Sequence, residues 1–297
     1  MSGSVEAARI TYLVANHGHA RYLPDCIASL RAQTDDRWLA LIADDGSTDD
    51  SLAVIRALLE PRIRVLENGV NIGYTRTLQR LIENATTDIV GILDADDALH
   101  PEATARLLAV YEADDDSSFV YSRFAVYDET LTDCLATHGS AVPAGDTALR
   151  AGVVGAIRSF RRSAYARTAG LDPELRYAED RDLVYKLEEV TRPVMIDAVL
   201  YRYRHLPTSQ SHDPVKHEIG ARNTLRARRA AVRRRRVTPI RRALWDAYFV
   251  ADYLAYSRSR PAAVRTLAML GSRVIMAGAG WLLNGASGVS GTGRPTG

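Results

Sequence analysis

Cysteine is scarce in this sequence, whose 297 residues include only two, Cys26 and Cys134. They form no CxxC pair, so neither a zinc site nor a disulfide framework is expected, and a reducing compartment is favoured. The first nine residues are small and polar, which argues against a secretory signal. We therefore expect a cytoplasmic protein.

Two common nucleotide-binding motifs are also missing. No G-x-x-x-x-G-K-[ST] pattern occurs, which argues against a P-loop kinase. No G-x-G-x-x-G follows the first predicted strand, which argues against a dinucleotide-binding turn. Any nucleotide site must therefore be built from other residues.

Apolar, strand-like segments alternate with helical patterns through residue 203. This alternation predicts right-handed βαβ units and a mostly parallel sheet, which is an α/β fold. Strands are predicted at 10–15, 39–43, 63–67, 89–93, 118–127 and 194–203, and helices at 23–32, 51–59, 75–83, 101–111 and 180–190. Segment 128–151 is predicted as a loop, and segment 152–169 as partly helical.

Carboxylates follow the strand predicted at 89–93, in the run Asp94-Ala95-Asp96-Asp97. Because unpaired charges are costly in a core, this run is expected at the strand's carboxyl end, where Asp94 and Asp96 project the same way. Two such carboxylates can share Mg²⁺ or Mn²⁺, with water and substrate phosphates completing the ligand shell. The alternative is a solvated acidic turn that begins the next helix.

A second acidic strand end lies upstream, at Asp44-Asp45, before Gly46 and the run Ser47-Thr48-Asp49. Helix capping explains the Ser-Thr-Asp run well but explains the Asp44-Asp45 pair poorly. Two parallel strands that end in carboxylates define a crevice at the carboxyl edge, where open α/β sheets bind ligands.

Together these motifs resemble the family 2 glycosyltransferases, which have the GT-A fold. Each motif is weak alone, whereas their order and spacing over roughly residues 8–212 are specific. The matching residues are Ile10 to Asn16, Ser29-Leu30, Gln33-Thr34, Asp44 to Asp49, Asn71 to Thr75, Asp94 to Asp97, Gly170 to Asp172 and Tyr177 to Leu183.

The resemblance implies a GT-A-like, mostly parallel sheet flanked by helices, and an inverting glycosyltransferase. Such an enzyme moves a sugar from a UDP- or dTDP-type donor to a hydroxyl acceptor in cell-surface polysaccharide or glycolipid synthesis. The resemblance implies Mg²⁺ or Mn²⁺ held by Asp96 and Asp94. It implies nucleotide contacts at Asn16, Asp44, Asp45, Asn71 and Asp94.

Inverting transfer also needs a general base, which takes the proton of the acceptor hydroxyl as it attacks. Glu179-Asp180 precedes a predicted helix, where acidic residues are also common for complementing the helix dipole. The resemblance assigns the base to Asp180, with Glu179 as the next candidate.

A basic segment, Tyr201-Arg202-Tyr203-Arg204-His205, is followed by Ser209, Ser211 and His212. Arginine forks match phosphate oxygens, and histidine can assist charge or metal, so Arg204 and His205 are predicted to face the donor's phosphates. The alternative is a solvated edge strand.

Two other functions remain open. A catalytically silent sugar-nucleotide or glycan-binding protein would share the fold, although Asp94, Asp96 and Asp180 argue against it. A sugar-nucleotide pyrophosphorylase would also use carboxylate-bound Mg²⁺. It would need a lysine near a glycine-rich N-terminal loop, and no lysine precedes Lys186.

The net charge of +2 conceals a division of charge along the chain. Residues 1–215 carry 22 basic and 33 acidic side chains, and residues 216–297 carry 16 and 3. We therefore divide the chain into a catalytic domain (1–215), a basic helical extension (216–285) and a tail expected to be disordered (286–297).

The basic extension is predicted to form helices at 218–236, 241–256 and 264–283. These helices are expected either to pack on the catalytic domain or to bind an anionic membrane surface at the inner face of the cell membrane. Nucleic acid is not expected as a partner, because the catalytic part is acidic. The acceptor is expected to be a glycan or a lipid-linked sugar.

Overall fold

The computed structural model describes residues 7–152, 154–207 and 213–284, with side chains described up to residue 275. The predicted disordered tail lies outside the described residues. So do Ser209, Ser211 and His212 of the predicted phosphate-side segment.

The chain forms two compact units, each made of three segments. The first unit comprises Met1–Ala141, Val153–Pro173 and Arg192–Pro207, and the second comprises Val142–Gly152, Glu174–Thr191 and Thr208–Gly297. The sequence predicts a domain boundary at residue 215, and this boundary stays a prediction.

All strands of the described residues join one mixed sheet in the first unit. Four parallel strands form one side in the order β3-β2-β1-β4, and the sheet continues β8-β6-β9-β5, with β7 paired to β6. The bounds are β1 (Ile10–Asn16), β2 (Trp38–Asp44), β3 (Ile63–Glu67), β4 (Ile89–Ile92), β5 (Ala98–Leu99), β6 (Phe119–Tyr127), β7 (Cys134–His138), β8 (Arg158–Arg161) and β9 (Pro193–Arg204). The predicted α/β class is confirmed.

The helices of the first unit are α1 (Leu23–Arg31), α2 (Ser51–Ala57), α3 (Tyr74–Asn84), α4 (Ala103–Ala113) and α6 (Arg162–Tyr165). The large side chains of Tyr12, Trp38 and Tyr111 are buried in its apolar core. Because β1 and β2 are almost fully buried along their length, they contain continuous apolar runs, as central parallel strands do.

One segment prediction was wrong and another was incomplete. Segment 128–151, predicted as a loop, contains β7 and the short helix α5 (Ala148–Ala151). Segment 152–169 is helical in part, as predicted, at α6, but it also contains the strand β8, which was not predicted. β8 is fixed by antiparallel pairing with β4 and β6, which are distant in the sequence, so its local sequence gives no periodic signal. β7 forms a hairpin with β6, and its mostly exposed residues show no apolar alternation.

The second unit contains α5, α7 (Glu179–Glu188), α8 (Pro214–Arg234), α9 (Pro239–Tyr256) and α10 (Ala262–Asn284). α8 packs against α7 and α9, and α10 packs along α9. Trp245 and Phe249 of α9 are buried, with ring centroids 5.1 Å apart. None of the helices within the described residues is long and apolar enough to cross a membrane.

The arginines of α8 are used largely inside the second unit. Arg228 is buried, pairs with Asp252, and lies 5.4 Å from the ring centroid of Phe249. Three further arginines, two in α8 and one just after it, make ion pairs with carboxylates of the same unit. These pairs are Arg229 with Asp246, Arg234 with Glu189 and Arg235 with Glu188. Part of the basic charge of the extension is therefore neutralised within the second unit.

Candidate active site

Polar side chains of the first unit collect where β1, β2 and β4 end. Asn16, the last residue of β1, lies in register beside Asp44, the last residue of β2, and the residues after β4 are Leu93 and Asp94. Since these strands are parallel, their carboxyl ends share one edge of the sheet, as the sequence predicted for the two acidic runs.

Asn16 and Asp44 are both buried at this edge and hydrogen bond to each other. The Asn16 amide donates to Asp44 Oδ1 at 2.9 Å and to Ser47 Oγ at 3.1 Å. The Asp44 carboxylate also accepts from the backbone N–H and the hydroxyl of Ser47. The Oδ1 atom of Asn16 is buried and has no partner among the described residues, which leaves an acceptor for a ligand.

Asp45 holds the loop that follows β3. Its Oδ1 accepts from Asn68 Nδ2 and from the Ile72 N–H, both at 2.8 Å, and its Oδ2 accepts from the Gly73 N–H at 2.9 Å. Asn71, the predicted nucleotide contact within this loop, is exposed. The carboxylate of Asp45 therefore has one structural task already, and it keeps acceptor capacity for one further donor.

Gly46 permits this close approach of the two loops. Its φ is +65°, and a Cβ placed there would lie 2.6 Å from the backbone nitrogen of Asn71 and from the carbonyl carbon of Val70. Only glycine fits a position that combines a left-handed φ with such a contact.

The acidic turn, defined here as Asp94 to Asp97, is held by β9. Asp97 is buried; its Oδ2 accepts from the Tyr201 hydroxyl at 2.8 Å and its Oδ1 from the Arg204 N–H at 2.7 Å. The Tyr201 hydroxyl also accepts from the Asp94 N–H at 3.1 Å. Burial and the charges of Asp96 and Asp94 raise the pKa of Asp97 well above its usual range.

The Asp96 carboxylate accepts from its own backbone N–H, which leaves it acceptor positions for a cation. Burial and the nearby charge of Asp94 raise its pKa, and the charges of His19 and Arg204 offset this in part. Asp94 is half-buried, and its carboxylate accepts from the hydroxyls of Tyr74 at 3.2 Å and Tyr201 at 3.4 Å. A divalent cation would relieve the repulsion between the two carboxylates.

Within the described residues no cluster of three or more His, Cys, Asp or Glu side chains is placed to hold a metal ion. The residues present nevertheless fit Mg²⁺ or Mn²⁺, because Asp94 and Asp96 are hard oxygen donors and Asp96 has unused acceptor positions. A cation here would need water and the phosphates of a bound nucleotide for its other ligands.

Arg204 contacts the acidic turn and is almost fully buried. Its Nε donates to the carbonyl of Asp96 at 2.6 Å, one Nη donates to the carbonyl of Glu129, and the other pairs with Asp25 at 2.8 Å. Its guanidinium also lies 4.8 Å from the ring centroid of Tyr22. These contacts give the predicted phosphate role of Arg204 no geometric support, and they favour a role in holding the turn.

The remaining predicted side chains lie in two places. His205 follows β9 in the first unit; it is half-buried, and its backbone N–H donates to the carbonyl of Tyr127 at 2.8 Å. Glu179 and Asp180 form the first turn of α7 in the second unit, where Glu179 accepts from the Ala178 N–H and Asp180 from the Arg181 N–H.

Tyr177, which lies shortly before this first turn, has a φ of +65°. A left-handed conformation costs a non-glycine residue about 1–2 kcal/mol. In the same unit, a Cβ at Gly220 of α8 would come within 2.8 Å of the Tyr177 carbonyl oxygen. Backbone strain of this kind clusters at functional sites, which makes the Glu179-Asp180 turn a functional candidate.

Sequence reasoning did not assign Tyr74, Tyr201 or Asp97 to the site. Strand alternation places Tyr201 and Arg204 on opposite faces of β9, and this alone assigns Tyr201 no role at the site. Its position in a strand of alternating tyrosine and arginine gave no local sign that its hydroxyl would reach the acidic turn.

A family model described as glycosyl transferase family 2 matches residues 11–168, which is more than half of the chain. The chain therefore belongs to glycosyl transferase family 2, as the sequence motifs predicted.

Two curated relatives carry names that accord with this family. The chain is 34% identical over 110 residues to the uncharacterized glycosyltransferase alr2836 of Nostoc sp. (36% of this chain and 34% of that protein). It is 26% identical over 202 residues to the chondroitin synthase of Pasteurella multocida (65% of this chain and 20% of that protein). The chain thus spans about a third and a fifth of the lengths of these relatives.

Solved structures share the fold. S. aureus TarS residues 1–349 superimpose with a TM-score of 0.66 at 15% identity, over 85% of this chain and 73% of that one. The mannosyltransferase PcManGT of Pyrobaculum calidifontis, solved with GDP-Man and Mn²⁺, gives a TM-score of 0.59 at 17% identity, over 94% and 84%. The predicted GT-A-like fold is confirmed.

Proposed function

We propose that this chain is an inverting glycosyltransferase that moves a sugar from a UDP- or dTDP-type donor to a hydroxyl of a glycan or lipid-linked acceptor. The observation that carries the proposal is the acidic turn at the sheet's carboxyl edge. There Asp97 and Arg204 make internal contacts, while the Asp96 carboxylate accepts from its own backbone N–H and keeps acceptor positions for a cation.

Asp96 and Asp94 would hold Mg²⁺ or Mn²⁺ in this proposal. When bound, the cation supplies a Lewis acid that stabilises negative charge on the leaving diphosphate. PcManGT was solved with Mn²⁺ and GDP-Man, and TarS has been solved with UDP and with UDP-GlcNAc, which supports a metal and a nucleotide-sugar donor here.

The carboxyl edge of β1 and β2 would receive the nucleotide. The unpartnered Asn16 Oδ1 and the remaining acceptor capacity of Asp45 suit the N–H and hydroxyl donors of a base and a ribose. Asp44 would fix the orientation of Asn16, and Asn71 and His205 would lie at the border of this site. Arg204 would act as a positioning residue for the acidic turn.

Asp180 would act as the general base toward the acceptor hydroxyl. The family motif and the strained backbone at Tyr177 support this role. The carboxylate accepts from the N–H of Arg181, an arrangement that fixes its orientation. A positioned carboxylate of this kind contributes roughly 10²–10⁴-fold to the rate of proton transfer.

The test is a screen of nucleotide-sugars for release of nucleoside diphosphate, with Mn²⁺, with Mg²⁺ and with a chelator. We expect metal-dependent release from at least one UDP- or dTDP-sugar. Tight donor binding without turnover, even with candidate acceptors present, would instead favour a silent sugar-nucleotide-binding protein. Formation of a nucleotide-sugar from a nucleoside triphosphate would favour a pyrophosphorylase.

The place of action belongs to the same proposal. The name of the chondroitin synthase relative supports polysaccharide synthesis as the setting. We propose that the enzyme works on the cytoplasmic side, at the inner face of the cell membrane, where a lipid-linked or growing glycan acceptor would be available.

A further inference from the structure

The outer side of α10 presents an apolar stripe, which we define as Val264, Leu267, Leu270 and Val274. These residues are spaced three, three and four positions apart, so they lie on one face of the helix. Leu267 is 69% exposed, Leu270 53% and Val274 70%, whereas the side chains of Ala268, Ser272 and Ile275 are half-buried. The half-buried side accounts for the packing on α9, and the apolar stripe is left exposed by the part of the chain that the structure describes.

Exposed arginines lie near both ends of this stripe along the chain. The exposed Arg258 and Arg260 precede α10, and the exposed Arg273 lies within it. From Tyr253 to the last residue the sequence has five arginines and neither aspartate nor glutamate. Glu218 of α8 accepts from the Ser257 hydroxyl before α10, but α10 itself carries no carboxylate. An exposed apolar face with arginines near both of its ends suits a partner that is apolar inside and anionic at its surface.

We propose that the apolar stripe and its flanking arginines form a docking face for an anionic lipid bilayer. A helix of this kind lies in the plane of the interface, with aliphatic side chains among the acyl chains and arginines at the headgroups. The location rests on the proposed function, which places the enzyme at the inner face of the membrane. The docking face itself is inferred from the exposure and composition of α10 and the segment before it, and this does not depend on the proposed function.

Two other occupants fit the face less well. A second copy packed by two-fold symmetry would bring the two sets of arginines together, and like charges in contact are unfavourable. Residues 285–297 contain one valine and one proline, and their other residues are glycine, alanine, serine, threonine and arginine. This composition does not suit a segment that covers the apolar stripe. A bilayer satisfies both the charge and the aliphatic side chains.

The sequence assigned a possible membrane contact to all three helices of the basic extension, whereas the structure favours α10 over α8. Arg228, Arg229, Arg234 and Arg235 are engaged in ion pairs of the second unit, so their charge is compensated there. The arginines next to α10 have no carboxylate in the neighbouring sequence to compensate them. Lipid binding should therefore depend on α10 and the segment before it.

The experiment uses the full chain without donor and measures cosedimentation with vesicles. We expect binding to phosphatidylcholine vesicles that contain phosphatidylglycerol, little binding to phosphatidylcholine alone, and release by high salt. Combined Leu267→Ser, Leu270→Ser and Val274→Ser should lower binding by at least about tenfold. Combined Arg258→Gln and Arg260→Gln should lower it on the order of fivefold per residue.

Matched controls are available elsewhere on the chain. Leu135, Val215 and Ile240 are exposed to a similar extent (57%, 68% and 72%) but lie outside the stripe, so their triple serine variant should bind vesicles normally. Arg106→Gln, in an exposed ion pair with Glu102, serves as the control for the arginines. Circular dichroism of each variant checks that the helices are intact.

Three results would overturn the proposal. The first is a wild-type chain that ignores anionic vesicles at low salt, and the second is unchanged binding by the stripe variant. The third is a wild-type dimer that the stripe variant converts to monomer, which would assign the face to contacts between copies. Donor turnover is measured separately without vesicles, so a chain that binds lipid but transfers no sugar would refute the proposed function and leave this face in place.

Discussion

The hydroxyl of Tyr201 donates to Asp97 Oδ2 at 2.8 Å and accepts from the Asp94 N–H at 3.1 Å. It therefore connects strand β9 to both ends of the acidic turn. Tyr201 is buried, and burial together with the charges of Asp94 and Asp97 raises its pKa well above the usual range, so the hydroxyl stays neutral.

This contact gives Tyr201 a positioning role for the proposed metal ligands. Groups that orient a ligand from behind typically change metal affinity by about 10–100-fold when they are removed. Arg204 acts on the same turn through the Asp96 carbonyl and the Asp97 carboxylate. Two residues of β9 thus fix the backbone on which Asp94 and Asp96 sit.

The first prediction is that Tyr201→Phe weakens Mn²⁺-dependent binding of UDP by about tenfold, because the acidic turn loses its contacts to the hydroxyl. The free energy of unfolding should fall by about 1–3 kcal/mol, since a buried Asp97 oxygen loses its donor. Calorimetric titration of UDP at several Mn²⁺ concentrations and urea unfolding measure the two effects.

Tyr111→Phe is the matched control for this variant. Tyr111 is equally buried, and its hydroxyl bonds to Ser159 at 3.0 Å, well away from the acidic turn in the hydrogen-bond network. It should lose similar stability and keep normal Mn²⁺-dependent binding. Equal binding defects in the two variants would reduce the role of Tyr201 to general stability.

The parallel part of the sheet could be predicted from the sequence because its information is local. The segments that became β1, β2 and β4 are short apolar runs, and the carboxylates at the ends of two of them could not be buried in a core without partners. Polar residues at strand ends therefore indicated both the fold and the position of the candidate site.

The contacts of β9 could not be predicted in the same way. Tyr201 and Asp97 are 104 positions apart in the chain, and their contact depends on the pairing of β9 with β5 and β6. Strand alternation alone is compatible with an Arg204 side chain that faces phosphate or solvent. In the structure its guanidinium instead donates to three acceptors, one of which is the Asp96 carbonyl of the acidic turn. Long-range pairing of this kind leaves no periodic mark on the sequence.

The second prediction concerns the loops that meet at Gly46. Gly46→Ala should unfold at a lower urea concentration and bind UDP more weakly. Its Cβ would collide with the backbone at Val70 and Asn71 and displace the N–H groups that Asp45 binds. Gly69→Ala is the control: Gly69 also has a positive φ, +72°, but a Cβ there has open space.

Gly69→Ala should therefore cost about 1–2 kcal/mol in stability, the usual cost of a left-handed conformation, and should leave UDP affinity unchanged. If Gly46→Ala behaves like this control in both measurements, the contact between the two loops does not shape the nucleotide site.

The third prediction concerns the metal. Asp96→Asn should sharply reduce sugar transfer and remove most of the Mn²⁺ dependence of UDP binding, because an amide is a much weaker ligand than a carboxylate for a hard cation. Folding should be intact, since the amide oxygen of Asn can still accept from the backbone N–H of residue 96.

Asp115→Asn, at a fully exposed carboxylate next to α4, is the control for the loss of one charge. UDP affinity of the wild type should rise on addition of Mn²⁺. An affinity that is equal with and without the metal would contradict the assignment of Asp96.

The last prediction concerns the proposed base. Asp180→Asn keeps the size of the side chain and its acceptor for the Arg181 N–H but removes the group that takes a proton. Turnover should fall by at least about a hundredfold with near-normal donor affinity, in line with the usual contribution of a general base. The neighbouring Glu179→Gln, whose carboxylate bonds to the Ala178 N–H of its own turn, should retain most of its activity. Steady-state kinetics with saturating donor and calorimetry of UDP binding separate the two parameters. A large loss in Glu179→Gln with near-wild-type turnover in Asp180→Asn would transfer the role to Glu179.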